Sequence, residues 1–110
     1  MRLPNADEAI VEIAKLRDYC LSPTHPRGRH EARVFAAALG LTADDAEVLR
    51  AALLQAVLTV DATVAEQDAF GQRYLIDFRM QGPRGEAMVR SAWIVRTGEQ
   101  NPRLTSCYVF

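Results

Sequence analysis

The sequence predicts an α+β fold: three N-terminal helices packed on one face of a C-terminal four-stranded antiparallel meander sheet. Three observations point to it. Apolar residues recur every three or four positions as far as Leu58, and every second position beyond Asp61. Turn residues then punctuate the second half at short intervals, too close to hold the crossovers that parallel strands need. Helices and strands segregated along a chain in this way pack as two layers. At 110 residues the chain is read as one domain, 1–110.

Ile10, Ile13, Leu16 and Cys20 fall at helical spacing with Lys15, Arg17 and Asp18 on the other side, predicting an amphipathic helix over 12–21. Ser22-Pro23 ends it, because a residue preceding proline is pushed out of the α region. A constrained loop, Pro23 to Gly28, leads to a second helix over Arg29–Leu39 with Val34, Phe35 and Ala38 inward and Gly40 as a left-handed cap. Thr42 and Asp45 form a variant of the capping box for a third helix, reaching about Leu58 with Ala46, Leu49, Leu53 and Val57 inward. A weaker strand at Thr63–Asp68 precedes a turn at Phe70-Gly71. Tyr74, Ile76, Phe78 and Met80 then alternate with Arg73, Leu75, Asp77 and Arg79, a strand with one apolar face. Ala87–Thr97 is apolar on both faces apart from Arg90, Ser91 and Arg96, as an inner strand would be. Leu104–Val109 is the last strand. The sheet face away from the helices must meet solvent or a partner.

Composition excludes several classes of function. Hydrophobic residues make up 49% and charged residues 25%, which excludes disorder and a disulfide scaffold. The net charge of −1 gives the whole molecule no strong field for a polyanion, although residues 71–110 hold six arginines against three acids. Codon bias would also explain an arginine-rich, alanine-rich chain. No apolar run suits a signal peptide or a membrane span, so a cytoplasmic protein is expected. Cys20 and Cys107 match no zinc or redox spacing and are read as reduced thiols.

Two segments can carry chemistry. His25-Pro26-Arg27-Gly28-Arg29-His30 enters a helix N-terminus, where free backbone N–H groups, two arginines and two imidazoles would suit a phosphate and proton transfer. The plainer reading has His25 capping local backbone, His30 at the helix surface and Gly28 permitting a turn. The second segment is the inner strand, where Arg90 interrupts Met88, Val89, Ala92 and Trp93. A charge there needs a partner: a substrate phosphate, or an internal carboxylate, Asp77 or Asp61. Thr105 and Tyr108 could donate hydrogen bonds to a substrate, and strand propensity explains both equally. No phosphate-binding glycine loop, serine elbow or metal-ligand motif occurs, so no metal or cofactor is expected.

The runs Leu3-Pro4-Asn5-Ala6-Asp7-Glu8-Ala9-Ile10-Val11, Lys15-Leu16-Arg17-Asp18-Tyr19 and Leu21 to Phe35 resemble a bacterial domain family of unknown function. The likeness continues through Val89 to Val95 and Pro102 to Thr105. Members of that family occur as small free-standing proteins, often beside another small gene as in toxin–antitoxin pairs, and the helix-then-meander layout is similar to the barnase–EndoU–colicin–RelE ribonucleases. The resemblance implies a candidate toxin that cleaves RNA by metal-independent 2′-OH transesterification, with RNA and a small cognate antitoxin protein as partners. It implies a site at His25, Gly28 and His30 together with Arg90 and Thr105, so catalytic His25, His30 and Arg90 are expected with substrate contacts from Gly28 and Thr105; the residues themselves add Arg27, Arg29 and Arg73 as expected substrate contacts. Many relatives have lysine where this chain has Glu31. The alternative is a non-enzymatic protein-binding module or complex subunit. Clustering of Arg29, His30, Arg73 and Arg90 in one cleft would favour the enzyme, and their dispersal the module.

Overall fold

In the computed structural model, which describes residues 1–110, the helices end at Thr59 and the chain is extended from Thr63 onward. The first helix, α1, opens with one α turn, Ile13–Lys15, and continues as a π-helical turn, Leu16–Cys20, in which the Leu21 N–H donates to the Leu16 carbonyl at 2.8 Å. The expected helix is therefore present but widened. Its wide turn brings Leu16, Cys20 and Leu21 to the interior together, where all three are buried. The second helix, α2, spans Arg29–Leu39 and stops at Gly40, whose φ of 76° is the left-handed cap that a side chain would disfavour. The third, α3, spans Ala46–Thr59 and is entered through a 3-10 turn, Ala43–Asp45. The predicted capping box is formed: the Thr42 N–H donates to Asp45 Oδ2 at 2.9 Å.

Strands β1 (Thr63–Asp68), β2 (Gly71–Gly82), β3 (Gly85–Arg96) and β4 (Arg103–Val109) lie in that order, each antiparallel to the next. The helices cover one face. Ile76, Val89 and Trp93 from the sheet meet Phe35, Leu39, Leu49 and Leu53 from α2 and α3 in a core cluster of 22 buried residues. Ile10, whose spacing to Ile13 and Leu16 reads as helical, lies instead outside α1 in an extended N-terminal segment that closes part of the β4 edge. The Ile10 N–H donates to the Pro102 carbonyl at 2.8 Å and the Leu104 N–H to the Ile10 carbonyl at 3.0 Å.

Register decides which side chains share the uncovered face. Tyr74 lies opposite Trp93, Ile76 opposite Ser91 and Asp77 opposite Arg90. Arg90 lies opposite Tyr108 and Ala92 opposite Ser106, after which the β3–β4 pairing slips at a bulge that leaves Thr105 unpaired. Tyr74, Ile76 and Phe78 therefore point to the helices, and Arg73, Asp77 and Arg79 point away from them, as the alternation predicts. Strand β1 pairs with β2 only as far as Leu75, so β2 runs on past its neighbour.

Candidate functional site

The histidine segment belongs to the helix layer. His25 Nδ1 accepts the backbone N–H groups of Arg27 at 3.0 Å and Gly28 at 3.1 Å, and its ring lies 4.6 Å from that of Tyr19. This is the local cap that the plainer reading describes, and it occupies one of the two ring nitrogens. Arg27, Arg29 and His30 are exposed. Arg29 and Arg33 line an open groove of about 440 Å³ between α2 and the Thr42–Asp44 turn. Gly28 is buried against the Tyr19 carbonyl, with no room for a Cβ. Gly28→Ala is accordingly expected to destabilise the fold by about 1–3 kcal/mol through overpacking, read as a lower urea midpoint.

Arg90 projects from the opposite face of the sheet. Its Nε and Nη2 donate to the two carboxylate oxygens of Asp77 at 2.8 and 2.9 Å, a bidentate pair with both side chains 34% exposed. Tyr108 stands across the strand pair, and the guanidinium carbon lies 4.7 Å from the centre of the exposed Phe110 ring, close enough for a cation–π contact. Asp77 first, and then the Tyr108 phenol, hold the Arg90 pKa above its ordinary value, so the guanidinium stays charged at any working pH. Asp61, the other carboxylate open to Arg90 on sequence, sits 3.3 Å from Arg2 instead.

Arg73 is on the same face but bonded to Asp68 at 3.1 Å. The Phe70 N–H first, with Arg73 adding to it, keeps the Asp68 carboxyl below its usual range. The Thr105 hydroxyl donates to the Ala92 carbonyl at 3.1 Å and so fixes the bulge. The sheet thus separates two groups: His25, Arg27, Gly28, Arg29 and His30 on the helix side, and Arg73 and Arg90 on the open side.

The open-face cluster contains residues that sequence reasoning passed over. Phe110 was never singled out, and Asp77 entered only as a structural partner. Their shared face follows from alternation once register is known. A one-residue slip would have reversed it.

Elsewhere, Cys20 and Cys107 are both buried and unbridged, and their thiols adjoin. The hydrogen bond to Cys20, together with burial, pushes the Cys107 thiol well up, which keeps it protonated and unreactive. No three His, Cys, Asp or Glu side chains converge as a metal site requires. No helix is long and apolar enough to cross a membrane.

The same fold occurs in a solved structure described as a contact-dependent growth inhibition toxin–immunity protein complex from Klebsiella pneumoniae 342. The similarity has a TM-score of 0.69 at 15% sequence identity and covers 92% of this chain and 99% of that chain. No functionally curated protein matches the sequence. The family model described as Domain of unknown function (DUF6883) matches residues 2–110, and the chain belongs to that family.

Proposed function

We propose that this chain is the toxin-type component of a toxin–immunity protein pair and that it cleaves RNA on the open face of its sheet. The observation that carries the reading is the placement of Arg90 on a face no other element covers, between the Asp77 carboxylate, the Tyr108 phenol and the exposed Phe110 ring. A charged fork beside an aromatic platform suits single-stranded RNA, whose phosphates need a cation and whose unstacked bases need a flat partner. The likeness to one member of a toxin–immunity complex supports the same kind of role.

The chemistry is 2′-OH transesterification. Arg90 turns part of its fork to the scissile phosphate and stabilises the charge that builds on the phosphorane oxygens. The Asp77 carboxylate takes the proton from the 2′-OH as the 2′-oxygen bonds to phosphorus. The Tyr108 hydroxyl gives a proton to the departing 5′-oxygen as its bond to phosphorus breaks. The products are a 2′,3′-cyclic phosphate and a 5′-hydroxyl end. Protein side chains supply every proton transfer, so the reading is metal-independent, and cleavage is expected to persist in excess chelator. In this reading the histidines act in the helix layer, His25 as a loop cap.

A second reading, a protein-binding module without catalysis, is favoured by two observations. Arg29 and His30 lie on the helix side, away from Arg73 and Arg90 on the open face, which is the dispersal that points to a module. The open-face arginines are already paired: Arg90 with Asp77, Arg73 with Asp68, Arg79 with Glu86 and Arg103 with Glu12. Induced expression in a bacterial host separates the two readings, scoring growth and total RNA together. Arrest with fragmented RNA supports the nuclease. Abundant folded protein with normal growth and intact RNA rejects it in favour of the module.

A further inference from the structure

We infer that the uncovered edge of β2 between Ile76 and Gly82 is a docking site for an extended strand of a different protein, one with an acidic residue opposite Arg79 and apolar residues on either side of it. The inference is independent of the RNA reading, since it concerns main-chain pairing at the edge and not chemistry on the face.

The first observation is the mismatch in strand length. β1 pairs with β2 no further than Leu75, while β3 pairs with β2 through Gly82. One side of residues 76–82 therefore has no neighbouring strand. The Thr97 N–H donates to the Phe70 carbonyl at 3.0 Å, which sets the alternation. Even-numbered residues of β2 exchange hydrogen bonds with β3, and odd-numbered ones turn both main-chain groups the other way. Asp77, Arg79 and Gln81 thus offer N–H and C=O groups to whatever lies beyond the edge. Such a row is the template for strand addition.

The second observation is the groove along this edge, about 680 Å³ and open to solvent, with Val48, Ala52 and Gln55 of α3 on one wall and Phe78, Met80 and Arg79 on the other. Val48 is 53% exposed although it sits among apolar residues. An added strand would turn alternate side chains into this groove, which asks for apolar residues at the positions flanking the one opposite Arg79.

Charge and the limits of the free edge together choose between a second copy and a different protein. An antiparallel pairing of the uncovered stretch with itself, centred so that the free groups are used, sets Arg79 directly across from Arg79 of the copy. Like charges in that position are destabilising. A shift of two residues in one direction sets Asp77 across from Arg79 but runs Gln81 into the place β1 holds on Leu75, which leaves only two hydrogen-bonding residues on each strand; in the other direction it brings Pro83, which lacks an N–H, into the ladder. An acidic residue opposite Arg79 instead continues the row that Glu86 begins, 2.6 Å from Arg79 on its other side. Opposite charges across a strand pair are favourable.

The test uses the full chain and a fluorescein-labelled glutamate–valine peptide, Val-Thr-Val-Glu-Val-Thr-Val, about the reach of the uncovered stretch, with its one charge opposite Arg79 and neutral threonine opposite Asp77; the lysine–valine peptide replaces that glutamate by lysine. Saturable binding by anisotropy is expected, with amides of Asp77, Arg79 and Gln81 gaining protection from hydrogen exchange. A lysine–valine peptide is expected to bind about tenfold more weakly, and Arg79→Glu to reverse that preference. Arg79→Pro removes an N–H that the fold leaves free and should weaken binding by at least about tenfold. The inference is overturned if the glutamate–valine peptide does not bind, or if binding is indifferent to both Arg79 substitutions. It is also overturned if sedimentation shows the free chain to be a dimer that Arg79→Pro makes monomeric, since the occupant would then be a second copy.

Discussion

Truncation of Trp93 to alanine is expected to lower the unfolding free energy by about 3–5 kcal/mol, a large part of the roughly 5–15 kcal/mol that holds a domain of this size. Trp93 is 1% exposed and lies in the core on an inner strand, where the helices prevent collapse around a void. Its indole N–H donates to the Ser91 hydroxyl at 2.9 Å, and that hydroxyl donates to the Ile76 carbonyl at 2.8 Å. Ser91 is fully buried, so this relay satisfies polar groups that water cannot reach. Ser91→Ala should therefore cost about 1–3 kcal/mol, because it strands the indole N–H. In a Trp93→Phe background the same change should cost less, since no donor is left unpaired. Urea titrations of the two single variants and the double variant measure the coupling. Purely additive costs would show that the relay does not hold the strand.

What could be read from the sequence depended on how local the determining physics was. Alternation from Tyr74 to Met80, the Gly40 cap and the Thr42–Asp45 box rest on neighbours within a few residues, and all three are realised. The π turn at Leu16–Cys20 is not local in this sense. It has no signal in the apolar spacing, and it lies where Gly28 closely approaches the Tyr19 carbonyl. The joining of Ile10 to β4 is likewise tertiary, and the helical spacing of Ile10 to Ile13 points away from it. The candidate site was legible by half. Arg90 stands out as a charge in an apolar run, and Asp77 was one of two carboxylates open to it. Tyr108 was visible as a strand hydroxyl, but its place opposite Arg90 depends on a bulge after Ala92 that alternation alone does not show. The density of histidine and arginine at His25–His30 drew attention to the helix side, although proximity in sequence says nothing about which sheet face a group reaches.

Arg90→Ala is expected to reduce RNA cleavage by about 10²–10³-fold, the usual loss when a group that stabilises transition-state charge is removed. The fold should survive the change. Arg90 and Asp77 are both about one-third exposed, and a pair in that setting contributes about 0–1 kcal/mol, too little to unfold the chain. The circular dichroism spectrum and urea midpoint should therefore stay near those of the wild type while cleavage falls. Arg90→Lys keeps the charge but loses the bidentate fork and most of the stacking on Phe110, so it should restore only a fraction of the activity. Asp77→Asn keeps the shape and removes the proton acceptor. Its loss should appear in the cleavage step more than in the binding of uncleavable RNA carrying 2′-O-methyl groups, whereas Phe110→Ala should weaken binding first. Alanine at both His25 and His30 provides the opposing test. On the open-face reading the double variant cleaves RNA at close to the wild-type rate once its stability is matched by lowering the temperature. If the histidine variant is inactive while Arg90→Ala retains full activity, the catalytic groups lie at the entrance to α2 and the open face has another role.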